Sequence, residues 1–195
     1  LLSPATAPCR RTRMGALEEM FDWDDDALGD RCLDLQDKGV GARDIGAFLE
    51  SLNGLEDVSR LKVVNLSENR VGLHDESMEP IDKLCMASSN SLTALNLRGN
   101  PLGEEQRHLG PLVALAGTLA KLPRLKVLDL SRCTLIGPNN DRYRGLIALG
   151  RAFRGRKNCL THLRIVDNSL HSEAALIVGG WFASISRLRY LDISK

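Results

Sequence analysis

The sequence predicts a curved α/β solenoid of about six repeats, with parallel strands on the concave side and helices on the convex side. Three observations predict it. A five-position pattern recurs: Leu61, Val64, Leu66, Asn69 and Val71 in LKVVNLSENRVG, then Leu92, Leu95, Leu97, Asn100 and Leu102, then Leu125, Leu128, Leu130, Cys133 and Leu135, then Leu160, Leu163, Ile165, Asn168 and Leu170. Equivalent positions Leu33, Val64, Leu95, Leu128, Leu163 and Leu191 are 31, 31, 33, 35 and 28 residues apart, a period in the range of stacked repeats. Within each repeat the apolar spacing changes from two, the mark of a strand with one buried face, to about 3.6, the mark of a helix.

From about Asp30 to Lys195 this pattern resembles that of the leucine-rich repeat family, L-x-x-L-x-L-x-x-N/C-x-L, and the long period with a helical second half is similar to its ribonuclease-inhibitor-like, intracellular branch. The corner residues Asn69, Asn100 and Asn168 are expected to be structural, because an amide both donates and accepts where the chain leaves the ladder. Cys133 is the family's permitted substitute. The first copy, CLDLQDKGVG, has Lys38 in that slot and is expected to be looser there.

Taken in order, residues 1–15 read as a leader: Arg10, Arg11 and Arg13 stand among Ser, Thr and Pro with no acid, a composition also similar to the tail of an organelle transit peptide. Residues 16–30 read as an amphipathic acidic cap. Leu17, Met20, Phe21 and Leu28 are at helical spacing among seven acids between Glu18 and Asp30, and such a helix covers the open edge of a first strand. Residues 31–195 form the repeat domain. Its helices are expected around Ile45, Phe48, Leu49 and Leu52; Met78, Ile81, Leu84 and Cys85, with Pro80 in the first turn; Leu112, Leu115, Ala116 and Leu119; Leu146, Leu149 and Phe153; and Ala174, Ile177, Val178 and Trp181. Two corners are lengthened, at Gly103–Gly110 and Gly137–Asp141, on the side of a solenoid where insertions mark the working face. Lys195 falls inside the sixth strand, so the domain is expected to be truncated or to continue, with further repeats or a partner covering Trp181 and Phe182.

Composition excludes several classes. With 43% hydrophobic residues, 26% charged residues and a net charge of +1, the chain is neither a disordered polyelectrolyte nor a strongly basic nucleic-acid binder. No apolar run reaches membrane-spanning length. The five cysteines are an odd set without paired spacing, which points to reduced thiols and an intracellular, cytoplasmic setting, cytoskeletal or ciliary sites included; the arginine-rich leader leaves organelle import open. The four histidines are spread over three repeats with no acid or Cys at ligand spacing, and no phosphate-binding loop, dinucleotide fingerprint or nucleophile elbow is present, so neither metal, cofactor nor catalytic residue is expected.

What remains is surface. Strand positions alternating with the buried ones are expected to line the concave face, with Asp34, Asn65, Asn96, Asp129, Arg164 and Asp192 in one row, His162 and Tyr190 in the row beside it, and Arg98 in a third. Mixed signs suit a protein ligand better than a phosphate backbone. Arg142 to Lys157 holds six basic residues and no acid, and a helical wheel puts Arg144, Arg151 and Arg154 opposite Leu146, Leu149 and Phe153. This outer stripe is expected to meet an acidic protein partner, with anionic lipid or RNA as lesser alternatives. The resemblance implies a protein-binding scaffold or adaptor, a non-catalytic subunit of a larger assembly. The alternative is a small-GTPase regulator similar to the leucine-rich activating protein of the Ran system, with Arg70 as its charge-stabilising arginine.

Overall fold

A computed structural model of the chain describes residues 31–52, 56–73, 77–103, 110–136, 143–154 and 159–194. The leader, the acidic cap and the bodies of both lengthened corners lie outside the described residues.

Six short strands form one parallel sheet in sequence order: β1 (Cys32–Asp34), β2 (Val63–Asn65), β3 (Ala94–Asn96), β4 (Val127–Asp129), β5 (His162–Arg164) and β6 (Tyr190–Asp192). Between them run α1 (Ala42–Ser51), α2 (Glu79–Ala87), α3 (Gly110–Leu119), α4 (Arg144–Phe153) and α5 (Ser172–Phe182), with one further helical turn at Glu56–Ser59. The register is unbroken: Leu33, Val64, Leu95, Leu128, Leu163 and Leu191 stand side by side across the sheet. This is the parallel α/β solenoid that the repeat spacing predicts, and the core is the single layer between strands and helices. Val64, Leu66, Leu95, Leu97, Leu128 and Leu130 from the strand side meet Ile45, Ile81, Leu84, Leu112, Leu115, Leu146 and Leu149 from the helices. At about 1.5–3 kcal/mol for each such side chain, burial fastens every coil to its neighbours.

Each repeat uses the same backbone bonds. The N–H two residues past the central leucine is accepted by the next strand, as from Leu35 to Asn65 O (2.9 Å), Leu66 to Asn96 O (2.9 Å), Leu97 to Asp129 O (2.9 Å), Leu130 to Arg164 O (2.8 Å) and Ile165 to Asp192 O (2.9 Å). Two residues further on the chain turns through a left-handed residue, Asp37, Glu68, Gly99, Arg132 or Asp167 (φ 52° to 69°). Four of these five carry side chains, so the corner is held in a costly conformation by the bonds around it.

The helices follow the expected faces. α1 is entered through Gly41, whose N–H donates to Asp44 Oδ2 at 2.7 Å, so the acid in the first turn satisfies an otherwise unpaired donor. α2 accommodates Pro80 in its first turn and buries Ile81, Leu84 and Cys85. Two glycines set the helix spacing. A Cβ on Gly145 of α4 would lie 2.2 Å from the Leu112 side chain of α3, and one on Gly150 would lie 2.5 Å from the Trp181 indole of α5. Trp181 packs edge-on against Phe153, with ring centroids 5.3 Å apart.

The Asn corners form a ladder whose direction corrects one expectation. Asn69 accepts the N–H groups of Lys38 and Val40 (both 3.1 Å) and donates to Leu35 O (2.7 Å), all in the preceding repeat. Asn100 likewise accepts from Val71 (2.9 Å) and donates to Leu66 O (2.8 Å), and Asn168 accepts from Cys133 N–H (2.9 Å) and donates to Leu130 O (2.9 Å). Each amide, which also donates within its own corner, therefore ties that corner to the coil before it and closes that coil. The first repeat, with Lys38 in the slot, is still closed by Asn69, although Lys38 supplies no counterpart of the bonds that Asn69 and Asn100 also make within their own corners, to Leu66 O (2.9 Å) and Leu97 O (2.8 Å). Cys133 fills the role in part: its thiol donates to Leu97 O (3.1 Å), while Leu102 N–H turns to Asn100 O (2.8 Å). Burial pushes the Cys133 thiol up to about 12, so it remains a donor.

Candidate functional site

The concave face is built by the strand residues on either side of the central leucine. The row Cys32, Val63, Ala94, Val127, His162, Tyr190 and the row Asp34, Asn65, Asn96, Asp129, Arg164, Asp192 are in register, as the sequence spacing requires. The two halves of these rows differ in access. Over β2 to β4, Val63, Ala94 and Val127 are buried, and so are Asn65, Asn96 and Asp129. Over β5 and β6, His162, Arg164 and Asp192 are partly exposed and Tyr190 is exposed.

Side-chain chemistry explains the closed half. An Asp or Asn at the strand end accepts the N–H two residues on, an Asx turn that carries the chain out of the sheet. Asp34 does so for Gln36 (3.0 Å), Asn65 for Ser67 (3.2 Å), Asn96 for Arg98 (3.0 Å), Asp129 for Ser131 (2.8 Å) and Asp192 for Ser194 (3.1 Å). Asn65 also donates sideways to Asp34 Oδ1 (3.1 Å) and Gln36 Oε1 (3.3 Å). Asn65, Asn96 and Asp129, expected to face a ligand, are thus engaged in holding strand ends and have little surface to offer. The recurring Asn65-x-Ser67, Asp129-x-Ser131 and Asp192-x-Ser194 carried this signal in the sequence, where it reads as a polar row unless the turn chemistry is considered.

Arg164 breaks the series. It accepts nothing, so Val166 N–H goes to Ser131 Oγ on the neighbouring repeat (3.1 Å). Its guanidinium lies between two aspartates, 3.8 Å from Asp129 Oδ2 and 3.5 Å from Asp192 Oδ2. Neither approach is a tight bond, and Arg164 Nε and Asp129 Oδ2 are buried with no hydrogen-bond partner among the described residues. Beside this row the His162 and Tyr190 rings stack with centroids 5.9 Å apart. Burial lowers the His162 pKa below its usual value, with Arg189 adding to the effect, so the ring is held neutral. Hydrogen bonding from Ser194 holds the Asp192 carboxyl below its ordinary range.

At the rim, Glu68 gathers two arginines. Its Oε1 lies 3.3 Å from Arg98 Nε and 3.0 Å from Arg132 Nη1, and its carboxylate rests where a Cβ on Gly99 would stand. Arg98, expected to contact a ligand, is therefore partly committed. Arg70 is exposed one residue past Asn69 and, with Glu68, Gly99 and Arg132, borders a shallow hollow of about 340 Å³.

On the convex face Arg144, Arg151 and Arg154 are exposed, while Leu146, Leu149 and Phe153 are buried. Arg142, Arg156 and Lys157 lie outside the described residues. Among the described residues no group of three or more His, Cys, Asp or Glu side chains is placed to hold a metal ion, and no helix is long and apolar enough to cross a membrane.

Residues 88–105, which carry the β3 repeat, match the family model described as Leucine Rich repeat. Among solved structures the chain is similar to the leucine-rich repeat-containing protein LegL7 from Legionella pneumophila, at 19% identity over 84% of this chain, with a TM-score of 0.41. The chain spans 56% of the length of that structure. No curated protein gives a significant match.

Proposed function

We propose that this chain, a leucine-rich repeat protein, is a non-catalytic scaffold that docks another protein on the open half of its concave sheet, as a subunit of an intracellular assembly. One observation carries the reading. The polar row is buried over β2 to β4, and over β5 and β6 Tyr190, His162, Arg164 and Asp192 stand together with part of their surface exposed. A tyrosine beside an arginine is the composition of an interface anchor. At the boundary with β4, Arg164 Nε and Asp129 Oδ2 have no hydrogen-bond partner among the described residues. Among the described residues Cys85, Cys133 and Cys159 are free thiols, which suits a reducing compartment.

Affinity purification with wild-type chain and with an Arg164→Ala/Tyr190→Ala variant tests the proposal. A partner recovered by the first and lost by the second, with unchanged circular dichroism, supports it. A partner retained equally by both removes the concave face from the interaction. A second reading, acceleration of GTP hydrolysis by a small GTPase, is favoured only by the exposure of Arg70 at the rim. Unchanged hydrolysis across a panel of small GTPases would dispose of it.

A further inference from the structure

The convex surface of α4 and α5 departs from the rest of the helical layer. Outer faces elsewhere mix signs or pair them: Glu79 with Lys83 at 2.9 Å on α2, and Asp82 of α2 with Lys121 at 3.5 Å. On α4 the exposed positions are Arg144, Ile147, Arg151 and Arg154, spaced three, four and three residues apart and therefore on one stripe. None of the three guanidiniums meets a carboxylate among the described residues. Ile147 is 43% exposed in their midst.

α5 supplies little counter-charge. Its one acid, Glu173, already accepts a hydrogen bond from Tyr143 of α4. Leu176 is 78% exposed, more than any other large apolar side chain among the described residues, and the spaces around Gly179 and Gly180 are open. A helix this apolar on every side is ordinarily covered. The face is thus cationic along one helix and apolar along the next, which fits an acidic amphipathic helix.

The chain itself encodes such a segment. Residues 16–30 hold Glu18, Glu19, Asp22, Asp24, Asp25, Asp26 and Asp30 with no basic residue, together with Leu17, Met20, Phe21, Trp23 and Leu28. As the amphipathic helix that its spacing predicts, it would not reach its own α4. Only Arg31 joins it to β1, and fifteen helical residues span about 22 Å. β1 and β4 are three strands apart, which places α4 roughly 30 Å away in the outer layer at about 10 Å per helix. We infer that residues 16–30 of a second copy dock on the α4–α5 face, their acids on Arg144, Arg151 and Arg154 and their apolar residues over Ile147 and Leu176. This surface is distinct from the concave one and its occupant does not depend on the scaffold reading.

Sedimentation velocity of the full chain tests it by charge exchange. At low salt the wild type is expected to self-associate, and about 0.5 M NaCl is expected to return it to monomer by screening. Changing Arg144, Arg151 and Arg154 together to Glu should weaken association about tenfold or more, as should changing Asp24, Asp25 and Asp26 together to Lys. Each variant alone is then a monomer, and mixing the two should restore a heterodimer, because the unchanged acidic segment of the first meets the unchanged arginine face of the second and the two reversed surfaces also complement one another; that recovery excludes misfolding as the cause. A wild type that stays monomeric at low salt, association unmoved by either reversal, or no complex on mixing would each overturn the inference. So would capture of a monomeric wild type, through the same arginines, by phosphatidylserine vesicles or by single-stranded RNA.

Discussion

Over β2 to β4 the concave face is closed, and over β5 and β6 it is open, although both halves share one register and one backbone pattern. At β5 the difference comes from a single slot. Where the strand-end residue is Asp or Asn its oxygen is taken by the turn that follows, and the side chain folds down onto its own backbone. Where it is Arg164 the turn must borrow Ser131 from the next repeat, and the guanidinium is left between two carboxylates it does not fully engage. A repeat protein can therefore change from structure to surface without altering its fold, by one substitution in a row that backbone register holds in line.

The comparison can be broken most forcefully in the closed half. Asn100→Ala removes an amide that accepts from Val71 N–H and donates to Leu66 O and Leu97 O, all at 2.8–2.9 Å. The loss is expected to be about 3 kcal/mol or more, read as a fall of roughly 6–12 °C in thermal midpoint. A change within 2 °C, which is about 0.5–1 kcal/mol, would show that the ladder is not what closes the coils.

Asp129→Asn probes the junction between the halves. It keeps the acceptor for Ser131 N–H but turns an amide donor toward Arg164, at an expected cost of about 2 kcal/mol. Adding Arg164→Asn should recover about 1 kcal/mol or more of that, because the two residues are coupled. Additive effects in urea denaturation would mean that Arg164 and Asp129 ignore one another.

At the rim of the closed half, Gly99 combines φ +69° with the Glu68 carboxylate against its Cα. Gly99→Ala forces both a left-handed alanine and displacement of Glu68 from Arg98 and Arg132, at about 1–2 kcal/mol. Glu68→Ala/Gly99→Ala should then cost less than the sum of the two single changes.

The smallest effect sharpens the open half. The folded pKa of His162 lies below its ordinary 6.5, so folding favours the neutral ring. Its contribution is complete above 6.5 and declines as pH falls from there toward the lower folded value. His162→Gln should flatten that limb of a chemical-denaturation series between pH 7 and 5. If the limb persists unaltered, another group titrates there.

The architecture was legible in the sequence because its cause is local. Apolar residues three apart and then two apart, followed by an amide, dictate strand, corner and stacking together, and each strand appears at the leucine that the spacing marks. The outward turn of Arg144, Arg151 and Arg154 was legible for the same reason, since a helix fixes the angle between its residues. Access on the concave face was not. Asn65, Asn96 and Asp129 stand in the predicted row, but whether a carboxamide faces solvent or folds back on a nearby N–H depends on the turn after the strand. The direction of the Asn ladder was equally hidden: one sequence slot does not reveal which neighbour its side chain serves.

That direction has a consequence for how the molecule is made. The amide of Asn69 closes the coil of β1, and that of Asn100 the coil of β2, so each coil is fastened by a residue about thirty positions downstream. During synthesis from the N-terminus a coil has its strand and helix in hand but not its latch until the following corner has left the ribosome. Assembly is therefore expected to trail translation by one repeat, each newly emerged corner locking the turn behind it.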